Sequence, residues 1–181
     1  MKRALISTIL LLISCHAFAG DACQDQIPSS LSAAVTKAFP AYRTPLMTDN
    51  SADDISWNLK QGGKGCFGLA AADFDGDGVK DFVLGLSSQK TDEALIVVAL
   101  SRGKSWHIGK LSAWVESRLR LFVDTAPAGT YELSEALDAL GPGETTPLKC
   151  PHSVAIYGGI EAWSVANCYR KGKWLHVQIS D

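Results

Sequence analysis

The sequence predicts an α+β domain, a mostly antiparallel sheet with one or two helices packed on it. Three observations carry this expectation. Short runs rich in β-branched and aromatic residues recur along the chain, divided by Gly and Pro signals. Helical periodicity is confined to one segment near the N-terminus and a shorter one after it. An acidic, glycine-bearing turn at 73–81 lies between two apolar runs with strand character.

Taken in order, Met1-Lys2-Arg3, the apolar run Ala4–Ile13 and Ala17-Phe18-Ala19 have the three parts of a secretory signal peptide. Residues 1–19 are therefore expected to be removed, leaving a single globular domain at 20–181 that is periplasmic or secreted. Leu12-Ile13-Ser14-Cys15 also fits a lipobox, so a lipoprotein anchored through Cys15 is the alternative. No later run approaches the ~20 apolar residues of a spanning helix.

Ser29 or Ser30 can cap a helix whose apolar positions Leu31, Ala34, Val35, Ala38 and Phe39 keep helical spacing until Pro40. Ser51-Ala52-Asp53-Asp54 before Ile55–Lys60, with Gly62-Gly63 as a stop, allows a short helix or a strand. Phe67–Ala71 and Phe82–Leu86 read as short strands on either side of the acidic turn. Ala94–Leu100 is continuous and apolar, the pattern of a central strand covered on both faces. A turn at Arg102-Gly103-Lys104 leads to Trp106–Ile108, and Arg118–Asp124 alternates like a strand with one wetter face. Residues 126–146, with only weak helical character around Leu133–Leu140, form the expected excursion from the sheet. Val154–Tyr157, Trp163–Tyr169 and Trp174–Ile179 predict an antiparallel meander, turned at Lys171-Gly172, with Leu175, Val177 and Ile179 facing inward.

With Cys15 removed or lipidated, Cys23, Cys66, Cys150 and Cys168 remain, an even set suited to two disulfides. Of three connectivities, Cys23–Cys66 with Cys150–Cys168 is the expected one, the first pinning the N-terminal helix and the second stapling the C-terminal sheet. No Cys-x-x-Cys pair points to zinc. Removing Lys2 and Arg3 moves the net charge from −2 to −4, and basic residues are scattered. That distribution offers no phosphate-tracking groove and no anionic-membrane patch.

The acidic turn reads Asp73-Phe74-Asp75-Gly76-Asp77-Gly78-Val79-Lys80-Asp81. Alternating carboxylates around two glycines suit a hard cation that takes six to eight oxygens at roughly 2.3–2.6 Å. The expected Ca²⁺ ligands are Asp73, Asp75, Asp77, the Val79 carbonyl and Asp81, the last directly or through water. Like charges packed this closely oppose the turn unless a cation offsets them. The alternative is an acidic surface turn that binds nothing. An EF-hand is disfavoured, because its twelfth loop position requires Glu and here holds Leu84.

The segment Ala72–Val83 resembles the calcium-binding repeat of the FG-GAP and VCBS type found in integrin α-chain propellers. The resemblance covers about a dozen residues in one copy, whereas a propeller needs at least about four blades. It implies strand-loop-strand geometry and Ca²⁺ ligation by the five matching positions, and neither the propeller nor its adhesive role. The wider pattern resembles small secreted bacterial proteins in which one such loop follows a Cys-x-Gly strand and the chain ends in an aromatic hairpin closing on Ser-Asp. That likeness implies no activity.

Catalytic motifs are sparse. Ser87-Ser88-Gln89-Lys90 and Ser101-Arg102-Gly103-Lys104 match Ser-x-x-Lys but fall where strands end in turns, without the companion motifs of penicillin-recognising enzymes. His107 and His176 are expected on solvent-facing sheet positions and His152 in a loop. Trp106, Trp163 and Trp174 are expected to cover the sheet, the alternative being an exposed patch for a carbohydrate or protein partner. The functional expectation is an exported, non-enzymatic Ca²⁺-binding module that recognises a protein partner, in a narrower form an inhibitor or immunity protein. The alternative is a Ca²⁺-dependent hydrolase acting on an anionic or sugar substrate, with Asp124, Glu144 or His152 as general base.

Overall fold

The computed structural model describes residues 20–181, so the expected signal peptide 1–19 and Cys15 lie outside the described residues. Among these residues two α-helices and eleven strands form, in the order α1 (Ser29–Ala38), β1 (Tyr42–Arg43), α2 (Ala52–Lys60), β2 (Leu69–Ala72), β3 (Asp81–Ser88), β4 (Ala94–Arg102), β5 (Ser105–Trp114), β6 (Leu121–Ala126), β7 (Gly129–Tyr131), β8 (Leu148–Cys150), β9 (Val154–Gly159), β10 (Ser164–Arg170) and β11 (Lys173–Ser180). Every pair of these strands is antiparallel. The first sheet runs β5-β4-β3, and β1 and β2 share the far edge of β3. The second runs β11-β10-β9-β6, and β7 with β8 forms a separate ribbon.

Period-2 alternation sorts the side chains into layers. On β4, Ile96, Val98 and Leu100 meet Val123, Ala155, Tyr157 and Val165 of the second sheet, while Leu95, Val97 and Ala99 meet α1. That double coverage explains a strand buried from Ala94 to Ser101. Helix α1 inserts Leu31 and Val35, one helical turn apart and fully buried, each contributing about 1.5–3 kcal/mol through lost apolar exposure. The outer face of the second sheet, Val154, Ile156, Ala166, Cys168 and Val177, lies under Leu148 and Cys150 of the ribbon. The layers are thus helix, sheet, sheet and ribbon.

Several boundaries differ from the sequence reading. Helix α1 starts at Ser29 with Pro28 at the cap, and the Ser30 hydroxyl accepts the Trp106 indole N–H at 3.1 Å instead of capping. The 52–60 segment is helical, its Ser51 hydroxyl accepting Asp54 N–H at 3.2 Å. The strand expected from Arg118 begins at Leu121, because Arg118–Arg120 closes a 3-10 turn on the Ser117 carbonyl. β5 extends well past Ile108, through a bulge opposite Ile96 and Val97. No helix forms at 133–140; the chain there folds back along β11. Leu175, Val177 and Ile179 do share a face, but it is the one under the ribbon. Trp174 points between the sheets, edge-on to Phe74.

Both expected disulfides are present, Cys23–Cys66 and Cys150–Cys168, with Cα separations of 5.2 and 5.6 Å. The first ties the N-terminus to the segment entering β2 and the second ties the ribbon to the second sheet; each contributes about 2–4 kcal/mol. Such bridges fit an oxidising, extracytoplasmic compartment. Among the described residues no helix is long and apolar enough to cross a membrane.

The remaining brace is polar. Asp49, 7% exposed, accepts from Arg43, Leu46 N–H and the Ser87 hydroxyl, and Asn50 donates to the Leu119 and Leu121 carbonyls. Burial works to raise the Asp49 pKa, but Arg43 and the other donors outweigh it and bring it below the ordinary carboxylate value. Its stabilising contribution is therefore present above the unfolded carboxylate pKa and lost as pH falls through the lowered folded one.

Candidate metal centre

Ala72 and Asp81 are paired across β2 and β3, so residues 73–80 must reverse the chain within a short span. Gly76 and Gly78 both take φ of 80°, a left-handed conformation open to glycine. The aspartates then lock the turn through their own backbone. Asp73 accepts Gly76 N–H on Oδ1 at 2.7 Å and Gly78 N–H on Oδ2 at 2.9 Å. Asp77 Oδ1 accepts Val79 N–H at 2.8 Å. Phe74 is fully buried and anchors the turn in the core between the sheets.

Asp81 is the deepest of the four carboxylates, with no exposure at all. Its Oδ2 accepts Phe74 N–H at 3.0 Å and its Oδ1 accepts Ser101 N–H at 2.8 Å. Burial raises its pKa above the ordinary value despite those two donors, and the charges of Asp75 and Asp77 push the same way. Asp73 goes in the opposite direction. Desolvation, the largest single influence there, works to raise its pKa but is outweighed by the N–H groups of Gly78, Gly76 and Asp77 together, with help from His152.

The turn brings one carboxylate oxygen from each of Asp73, Asp75 and Asp81 within 4.8 Å of one another. Two oxygens that both touch an ion at about 2.4 Å can lie at most about 4.8 Å apart, so this spacing is compatible with one shared calcium ion. Of the other two sequence-predicted ligands, Asp77 is not part of that trio. Asp77 is more exposed, with Oδ2 3.6 Å from Arg102, and the Val79 side chain is exposed.

Two further residues stand beside the turn, Arg102, which the sequence reading placed only in a turn, and His152, which it placed in a loop as a candidate general base. Arg102, at the end of β4, places Nη2 2.6 Å from Asp75 Oδ2. The pair holds the guanidinium proton more firmly than usual, chiefly through the Asp75 hydrogen bond. Arg102 therefore offsets part of the repulsion that the sequence reading left to a metal alone. Continuing the β3–β4 register beyond Phe82↔Ala99 leads to this arginine, and that pairing was the signal available. His152, in the β8–β9 connection, covers Gly76 so closely that a Cβ there would lie 2.1 Å from its Cε1. A side chain at position 76 would therefore have to displace the His152 ring, in addition to the strain of its positive φ.

The three candidate general bases occupy three different surroundings. His152 lies over the acidic turn, and Asp124 is exposed on β6 beside α2. Glu144 accepts Gly141 N–H at 2.7 Å and Gln178 N–H at 2.9 Å, bracing the excursion against β11. His107 is exposed, whereas His176 is half-buried beside Gly143 and Glu144 in that same brace. Trp106 packs on Phe82, Trp163 on Trp114, and Trp174 on Tyr169, so the three cover separate parts of the core.

Comparison with protein-family models, with curated proteins and with solved structures finds no match to this chain.

Proposed function

We propose that this is an exported calcium-binding domain in which Ca²⁺, held by Asp73, Asp75 and Asp81 with Asp77 and the Val79 carbonyl completing the shell, stiffens the β2–β3 turn. Its work is recognition of a protein partner, in the manner of an inhibitor or immunity protein. The observation that carries the metal reading is the convergence of three carboxylate oxygens within 4.8 Å at a turn whose two glycines are both left-handed. All donors are hard oxygens, which favour calcium over zinc or copper. The backbone N–H groups of Gly76 and Gly78 bonded to Asp73 hold the turn in shape, while Arg102 donates to Asp75 at the position the ion would share.

In this reading the metal is structural. Extracellular sites bind at about 10⁻⁴–10⁻³ M, and free calcium at a hundredfold excess over Kd adds about 2.7 kcal/mol to stability. Thermal melting in millimolar calcium and in chelator tests it. A higher Tm in calcium is expected, abolished in Asp75→Ala and reduced in Asp77→Ala. Identical melting curves for the wild-type chain in both buffers would refute the metal reading.

A further inference from the structure

Away from the acidic turn, α2 and the β2–β6 corner enclose a half-open groove of about 810 Å³. Helix α2 buries no residue. Its Ile55 and Leu59 lie against Gly65, while Trp57, 61% exposed, lines the groove. Phe122 and Ile160 supply apolar surface on the opposite side. The charged lining is one-sided: Asp53, Asp54, Asp124 and Glu161 against Lys60. Glu161 also holds a left-handed φ of 55° in the β9–β10 turn, a conformation that costs a non-glycine residue energy.

We infer that this groove is the docking site for the partner, and that the partner contributes an extended segment bearing arginine or lysine side chains interleaved with apolar ones. Charge complementarity selects this occupant. Four carboxylates around an apolar groove repel acidic chains and leave a neutral sugar with nothing to offset, whereas a cationic side chain meets carboxylates on both walls. Trp57 adds an exposed indole face for a guanidinium, an interaction that strengthens as the groove closes over it. The volume falls within the range of pockets that hold a few side chains. The inference rests on the partner-binding half of the proposed function and is independent of the metal.

Three capped hexapeptides test it, alternating leucine with arginine, serine or glutamate, titrated calorimetrically into the full mature chain with and without calcium. The arginine peptide is expected to bind, with affinity falling as salt rises, and the other two are not. Asp124→Asn with Glu161→Gln should weaken binding roughly tenfold, and Trp57→Ala by about the same factor. Glu93→Gln, outside the groove, should leave it unchanged. All these side chains are exposed or line the surface, and melting curves verify folding. Equal binding of all three peptides, binding insensitive to the groove variants, or no binding of the arginine peptide overturns the inference. Intact arginine-peptide binding without any calcium-dependent Tm shift faults the metal reading alone, and the reverse result faults the groove alone.

Discussion

Carboxylates do different work in two regions of this molecule. In the excursion between β7 and β8, Glu144 meets one backbone N–H with each oxygen, from Gly141 and Gln178, and so stands in for a strand that would otherwise cover the edge of β11. In the β2–β3 turn, Asp73 and Asp81 are similarly occupied by N–H groups, yet Asp75 brings a third carboxylate to the same spot, with Asp77 more exposed beside it and Arg102 paired to both. The contrast separates bracing from binding. One carboxylate matched to two donors is a strut, while several carboxylates sharing one arginine leave charge for a further cation to neutralise.

Asp81→Ala should break that contrast most severely, because it strands the buried N–H groups of Phe74 and Ser101 together. A loss of about 3 kcal/mol is expected in urea unfolding, along with loss of any calcium effect. Asp81→Asn, which keeps one carbonyl acceptor, should cost less. If Asp81→Ala unfolds at the wild-type urea concentration, the claim that this carboxylate ties the turn to β4 is wrong.

Glu144→Ala should cost about 1–2 kcal/mol, since its donors lie nearer the surface and can turn to water. Hydrogen exchange at Gln178 and Gly141 should accelerate while the calcium-dependent Tm shift stays intact. A change in the calcium response of this variant would mean that the two regions are coupled and the contrast is false.

Arg102→Gln is expected to have the smallest effect in chelator, well under 1 kcal/mol, because the guanidinium is substantially exposed. In calcium the same variant should gain affinity, as the ion no longer competes with a resident cation for Asp75. Weaker calcium binding, read by calorimetry, would show that Arg102 supports the site rather than competing for it.

Much of this was legible in the chain. Ala94–Leu100 is a short apolar run bounded by polar turns, and burial on both faces of β4 follows from that pattern alone. The Asp-Gly spacing of 73–81 likewise identified the turn and its acidic character, and Lys171-Gly172 turns the last hairpin with both residues at positive φ. The start of β6 was harder to place, because Arg118-Leu119-Arg120 alternates like a strand while Ser117 caps a 3-10 turn. Hydrophobic alternation cannot distinguish the two when the apolar residue is solvent-facing, as Leu119 is. The excursion at 126–146 was legible as a departure from the sheet, but its path was not, because it is held by Glu144 and Ser134 bonding to β11, which lies more than thirty residues onward.

Alone, the sequence determined the antiparallel α+β class, the pairing-ready cysteines, the glycine positions of the acidic turn and the carboxylates it carries, because each depends on neighbours a few residues away. Only the tertiary structure decided which carboxylates converge, that Arg102 and His152 press on them, that Glu144 is a brace, and that α2 stands off the β2–β6 corner to leave a groove. Those facts depend on the register between strands and on how layers stack, and contacts across such distances leave no local periodicity for a single chain to display.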